Sequence, residues 1–167
     1  MLADWIAAPH VAVWWQSPAD LDEVRAMYEP TVARTDPTEV FIVEADSLPI
    51  GMIQRYRLAD YPEWEQIVPP GVSGGHLAGI DYLSSESHLG QGIGSEMISE
   101  FVALSLDLCP DVDSVVVTVN QGNRRSRRGL EKAGFLRFWA GTLGSDDPND
   151  HAPSSLYVRH CSRSSMP

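Results

Sequence analysis

Long apolar runs are missing from this chain. No stretch is long enough to span a bilayer or to form the core of a secretory signal, so the chain reads as soluble and cytoplasmic. Cysteine is scarce: Cys109 and Cys161 are the only two, far apart, too few for a disulfide framework, and a reducing compartment disfavours pairing them. The five histidines, His10, His76, His88, His151 and His160, show no HExxH or other ligand spacing, so no metal site is expected. Positive charge is also in short supply, with 12 Lys and Arg against 23 Asp and Glu and a formal charge of -11. That balance repels nucleic-acid phosphates and anionic membranes. It suits a cationic partner, and it suits plain solubility equally well. Internal repeats and low-complexity segments are absent.

What is present fits one domain with a sizeable core: 167 residues, of which we assign 1–161 to the domain and 162–167 to a disordered tail. The pattern begins with a short helix over residues 1–8, ending before Pro9. A second helix over 18–33 starts at Ser17-Pro18, with Leu21, Val24, Met27 and Tyr28 at helical spacing. Strands at 40–43 and 50–56 form a hairpin through Asp46-Ser47-Leu48-Pro49, and a long Pro- and Gly-rich loop covers 60–75. A central strand at 76–83 leads through a glycine loop into an amphipathic helix carrying Met97, Ile98, Phe101, Val102 and Leu108, closed by Cys109-Pro110. The strand 115–119 and a helix 124–132 stopped by Gly134 follow, then two last strands at 135–143 and 155–160. The order predicts an α/β chain with a mixed sheet flanked by helices.

The loop Leu89-Gly90-Gln91-Gly92-Ile93-Gly94-Ser95 carries the first chemical signal. The first amides of a helix lack intrahelical partners and sit at the positive end of its dipole, and glycines let a backbone approach an anion without a Cβ between them. A phosphate or pyrophosphate is the expected guest. A Walker A loop is excluded because Gly94 is followed by Ser95-Glu96 rather than Lys-Ser or Lys-Thr, and a dinucleotide fingerprint because the spacing is GxGxG in mid-chain.

Twenty-nine positions after Gly94 comes Asn123-Arg124-Arg125-Ser126-Arg127-Arg128-Gly129-Leu130-Glu131-Lys132-Ala133-Gly134-Phe135. The pair of motifs resembles the GCN5-related N-acetyltransferase superfamily, with its R/Q-x-x-G-x-G/A loop and its later N-x-x-A-x-x-x-Y-E-K-x-G-F helix. Trp14-Trp15, Tyr28-Glu29-Pro30, Pro49-Ile50-Gly51 and Gly79-Ile80-Asp81 are arranged as in aminoglycoside 6'-N-acetyltransferases and related siderophore-lysine acetyltransferases. Three features depart from the superfamily pattern. Leu89 stands at the first loop position, where the aminoglycoside branch also tolerates Leu, Leu130 replaces the tyrosine that often protonates the leaving thiolate, and Arg125, Arg127 and Arg128 form an unusually basic stretch in an acidic chain. The strand that opens the fold before its first helix also has no counterpart, which leaves an expected exposed sheet edge.

The resemblance implies an acyl-CoA N-acyltransferase fold, mostly antiparallel with splayed central strands, and acetyl-CoA as cofactor. It implies that Leu89, Gly90, Gln91, Gly92, Ile93, Gly94 and Ser95 hold the pyrophosphate, that backbone near Tyr82 and Leu83 faces the thioester, and that Asn123, Arg125 and Ser126 complete the cofactor site. Asn123 has an N-cap reading beside that one. Asp81 is the implied catalytic residue; as a weak base it orients the amine and passes its proton on through water. From the residues themselves, Glu65, Asp81, Asp146 and Asp147 are placed to surround a cation, with Trp64 to stack on it.

The expected activity is acetyl transfer to a primary amine, the 6'-amine of an aminoglycoside first, as a monomer or homodimer. A lysine, hydroxylysine or polyamine acceptor is the rival within the class. A non-catalytic acyl-CoA-binding module, favoured by Leu130, is the rival outside it.

Overall fold

The computed structural model describes residues 1–15, 17, 20–62, 76–144 and 152–160. Its helices are α1 (Leu2–Ala7), α2 (Pro9–Trp15), α3 (Leu21–Val32), α4 (Ile93–Leu108) and α5 (Arg124–Lys132). Its strands are β1 (Glu39–Ala45), β2 (Leu48–Arg57), β3 (Leu77–Ser84), β4 (Ser114–Asn120), β5 (Leu136–Gly141) and β6 (Ser154–His160). Among the described residues these strands make one sheet in the order β1-β2-β3-β4-β6-β5, in which β3–β4 is the parallel junction and the other four are antiparallel.

Apolar side chains on the two faces of the sheet hold the layers together. On one face Ile53, Ile80, Val115 and Val117 pack against Ile98, Phe101 and Val102 of α4 and Leu130 of α5. On the other, Met52 and Leu83 pack against Ala3, Ile6, Val11 and Val24 of α1 to α3. Arg55 is buried between layers: its guanidinium bonds the Glu39 carboxylate, reaches the Ser105 carbonyl, and lies 5.9 Å from the centre of the Phe41 ring.

The first helix ends before Pro9 as expected, with Ala8 extended ahead of the proline. Pro9 then opens a second short helix that the sequence reading lacked, at a position where its fixed φ and missing N–H cost little. The expected start of the next helix at Ser17 is also corrected. Asp20 caps α3, its Oδ1 accepting from Asp22 N at 2.9 Å and Glu23 N at 3.4 Å, with two acidic residues in the first turn to complement the dipole. The β1–β2 hairpin turns at Asp46 and Ser47, both at positive φ, the geometry whose twist matches the flanking strands. Phe135 belongs to the core just ahead of β5 rather than to the strand. β1 lies at one edge of the sheet, with Ile42 exposed on it. No described helix is long and apolar enough to cross a membrane.

Candidate active site

The site begins where the parallel pair gives out. β3 and β4 are in register only from Leu77–Gly79 against Ser114–Val116, and beyond that the strands part. The antiparallel alternation on the other side fixes what faces the gap. Ser85 N donates to Ile50 O at 2.8 Å, so Asp81, Leu83 and Ser85 turn their backbone groups to β2, while Ile80, Tyr82 and Ser84 turn theirs into the gap. His10 Nε2 donates to the Ser84 carbonyl at 2.9 Å, and its Nδ1 is buried and without a partner among the described residues. The gap opens into a cleft of about 1120 Å³.

One end of the cleft suits an anion. Gly90 and Gly92 hold φ of 79° and 86°, and Gly92 is the N-cap of α4, with no side-chain cap on the helix. A Cβ built on Gly90, Gly92 or Gly94 would meet nothing within 4 Å, so the loop leaves an open cradle in front of uncapped amides. Leu89, Gly90, Gly92, Gly94 and Ser95 line the cleft. Gln91 does not; its side chain braces the loop by donating to Ser87 O at 3.0 Å, and Ile93 is likewise outside the lining residues.

The start of α5 forms the adjoining wall. Asn123 Oδ1 accepts from Ser126 N at 3.1 Å, which realises its N-cap reading. Arg124, Arg125, Arg128 and Lys132 all line the cleft. Arg127 points elsewhere, to Gln121 O at 2.9 Å and the Tyr157 hydroxyl at 3.3 Å. The Tyr82 and Ser126 hydroxyls lie 2.7 Å apart. Burial pushes the Tyr82 phenol well above its ordinary pKa against the opposing pull of the Ser126 bond. Leu130, at the superfamily's tyrosine position, is fully buried in the core.

The other end is anionic. Side chains alternate along β3, so Asp81 stands on the face of Leu83 and the α1–α3 layer, opposite to Tyr82. Gln54 Nε2 donates to Asp81 Oδ2 at 2.9 Å. The carboxyl is half-buried in the cleft wall, and its desolvation raises its pKa against the stabilising Gln54 bond. The neighbouring Tyr28 phenol is pushed up to about 12, by burial first and then by the Asp81 charge. Asp36 also lines this end. It accepts from Thr38 N at 2.8 Å and the Tyr61 hydroxyl at 2.9 Å, and these bonds, Thr38 first, hold its carboxyl below the ordinary value. Trp14 and Trp15 line the cleft as well. Trp15 packs on the α1–α3 core, and a Cβ on Gly122 would lie 3.4 Å from the Trp14 ring across the cleft.

Of the residues expected here, Asp81, Tyr82, Leu83, Asn123, Arg125 and Ser126 converge on the cleft, but the expectation that the Leu83 backbone faces the thioester is corrected, because it bonds to β2 and leaves that position to Tyr82. Trp64, Glu65, Asp146 and Asp147 lie outside the described residues. His10, Tyr28, Gln54 and Asp36 went unassigned in the sequence. Asp36-Pro37-Thr38 does carry a local signal, the Asx turn in which the carboxylate accepts from an amide two residues on.

A sheet split at one parallel junction, with an uncapped helix start on one side of the gap and a half-buried carboxylate on the other, is an arrangement that an acyltransferase drawing on a phosphorylated thioester can use. Residues 1–141 match the acetyltransferase (GNAT) domain family, and the chain belongs to it. Its cofactor is acetyl-CoA, which the open glycine cradle fits. Aminoglycoside acetyltransferase AAC(6')-Ib in complex with coenzyme A is similar at 28% identity and a TM-score of 0.80, over 96% of this chain and 87% of that one. The same enzyme with ribostamycin and coenzyme A is similar at 28% identity and TM-score 0.80, over 99% and 92%. A spermidine N-acetyltransferase SpeG mutant from Vibrio cholerae, at 13% identity and TM-score 0.63 over 86% and 76%, shares the fold. No curated protein sequence matches the chain.

Proposed function

We propose that this acetyltransferase acetylates the 6'-amine of an aminoglycoside. The carrying observation is the division of charge along one cleft. Arg124, Arg125, Arg128 and Lys132 stand at the α5 end, while Asp81 and Asp36 stand on the α3 side. Such a cleft takes a polyphosphate at one end and a cation at the other. AAC(6')-Ib, solved with kanamycin, adds support.

In this reading the loop from Leu89 to Ser95 holds the pyrophosphate through the amides of Gly90, Gly92 and Gly94, those of Leu89 and Ser95 being donated to Glu86 O and Gly92 O, and Arg125 with its neighbours holds the ribose phosphate. The Tyr82 N–H polarises the thioester carbonyl in the gap. Asp81, steadied by Gln54, binds the acceptor as an ammonium and takes its proton through water, leaving a neutral nucleophile. Asp36, held ionised, anchors a second amine of the same substrate. Trp64, Glu65, Asp146 and Asp147 are proposed to complete the acceptor side.

The test is thiol release from acetyl-CoA with aminoglycosides that carry a 6'-amine, with counterparts that carry a 6'-hydroxyl, and with lysine derivatives and spermidine. Release with the 6'-amines and not with the 6'-hydroxyl compounds is expected. Release with lysine derivatives or spermidine alone overturns the substrate assignment. Binding of acetyl-CoA without release on any amine favours the non-catalytic module.

A further inference from the structure

Aminolysis of a thioester forms a C–N bond and breaks a C–S bond. The sulfur leaves with the electron pair, the nitrogen gives up one proton and the sulfur finally gains one, so amine plus thioester becomes amide plus thiol. Negative charge therefore develops on sulfur inside the gap, where water is scarce and a fixed hydrogen-bond donor acts strongly. Leu130 offers no such donor, being an apolar side chain fully buried in the core.

Of the hydroxyls that line the cleft, which also include those of Tyr28, Thr31, Ser84 and Thr118, three are committed elsewhere. Ser95 donates to Gly92 O at 2.7 Å, Ser17 to Trp15 O at 3.2 Å, and Thr38 is engaged with Tyr61. Tyr82 and Ser126 differ. Two O–H groups share one contact of 2.7 Å, which uses one hydrogen, and among the described residues the second hydrogen has no protein acceptor. The pair also spans the right place: Tyr82 comes from β3 and Ser126 from the first turn of α5, and both line the cleft. Tyr82 further turns its own N–H into the gap, so a single residue presents donors to both ends of the scissile thioester.

We propose that the Tyr82–Ser126 hydroxyl pair donates its spare hydrogen bond to the departing sulfur, as a catalytic element that replaces a helix tyrosine in this chain. Burial holds the phenol protonated, so the pair stabilises the thiolate as a neutral donor. The proton that completes the thiol comes from the amine, by way of Asp81 and water. The proposal rests on the acetyl-transfer reading and not on which amine is accepted.

Tyr82→Phe and Ser126→Ala test it in the full chain, on whichever amine the wild type acetylates best. Tyr82→Phe should lower kcat roughly 10- to 100-fold, with the dissociation constant for acetyl-CoA within about twofold. The discriminating readout is the selenoester analogue of acetyl-CoA. A selenol is a stronger acid and a better leaving group, so it needs less help, and the deficit of Tyr82→Phe should shrink with it; a merely structural defect depresses both substrates equally. Should Tyr82→Phe fail to fold, the same comparison on Ser126→Ala decides, because the backbone there stays capped by Asn123. Wild-type kcat in both variants, or equal deficits with thioester and selenoester, overturns the proposal. A wild type that acetylates lysine or spermidine but no aminoglycoside sinks the substrate assignment and leaves this comparison intact; one that releases no thiol with any amine overturns both.

Discussion

Gly94→Ala should make the protein more stable and a poorer binder of coenzyme A. Gly94 lies in the first turn of α4, its φ is not in the left-handed region, and an added Cβ meets nothing within 4 Å. In the absence of ligand the substitution therefore only lowers the entropy lost on folding and improves helix propensity, a gain of about 0.5–1 kcal/mol. For a chain of this size that is roughly 1–4 °C in Tm. With coenzyme A present at 100 times its dissociation constant, linkage adds about 2.7 kcal/mol to the wild type. A methyl group in the cradle that weakens binding tenfold halves that gain, to about 1.4 kcal/mol. The loss exceeds the intrinsic gain, so the order of melting temperatures should reverse between the apo and the ligand-saturated scans. Thermal denaturation with and without coenzyme A, checked by calorimetric titration, reads both signs. Wild-type affinity in Gly94→Ala would refute the placement of the pyrophosphate. Gly92 cannot serve for this test, because its φ of 86° strains any side chain whether or not a ligand approaches.

Asp81→Asn should cut turnover at least about tenfold with acetyl-CoA affinity unchanged, the scale of lost acid–base assistance, and wild-type turnover would remove Asp81 from the mechanism. Its folded carboxyl pKa is raised, so the native state binds the proton more tightly than the unfolded chain. The ionised carboxylate is then a stability cost that grows as pH rises from the ordinary carboxylate value through the folded one. Asp81→Asn should accordingly stabilise the protein at neutral pH and lose that advantage in acid; a pH series of melting curves checks it. Paired Arg125→Ala and Arg128→Ala changes should weaken coenzyme A but not dephospho-coenzyme A, since only the former carries the 3'-phosphate; equal losses would place these cations elsewhere. Leu130→Tyr, which restores the superfamily residue, should overpack a fully buried position and cost about 1–3 kcal/mol without raising turnover. Asp36→Asn should raise the acceptor KM several-fold and leave acetyl-CoA binding alone, whereas an unchanged acceptor KM would move the second amine subsite off Asp36.

Periodic and compositional signals carried most of the architecture into the sequence. The β-branched run of β4, the apolar stripe of α4 and the glycine stop after α5 need only local reading, and the structure has each in place. Errors fell where one local signal has two uses. Pro9 serves equally as a helix breaker and as a first helical residue, and Ser17 and Asp20 are both capping types three positions apart; acidic residues at 22 and 23 were the deciding feature. The site was legible where motifs hold it and opaque where distant segments meet. His10 finds Ser84, Gln54 finds Asp81, and Tyr61 finds Asp36 across 74, 27 and 25 positions of chain. The point where β3 and β4 part is set by register with two other strands, and no local pattern encodes it.

Charge shows how a composition-level inference fails at one end of a site and holds at the other. A net charge of -11 argues against phosphate partners, yet the cofactor of this family is rich in phosphate. The conflict dissolves once distance is considered. The Debye length is about 8 Å at physiological salt, so a phosphate lying against α5 interacts chiefly with the nearest charges, and those are Arg124, Arg125, Arg128 and Lys132. The acidic surplus lies elsewhere, with Asp36 and Asp81 in the cleft away from that helix, where the proposed function has them meet the cationic acceptor. Four of the chain's 12 cations, all on one short helix, line the cleft, which is how a chain of net negative charge still holds a phosphorylated thioester.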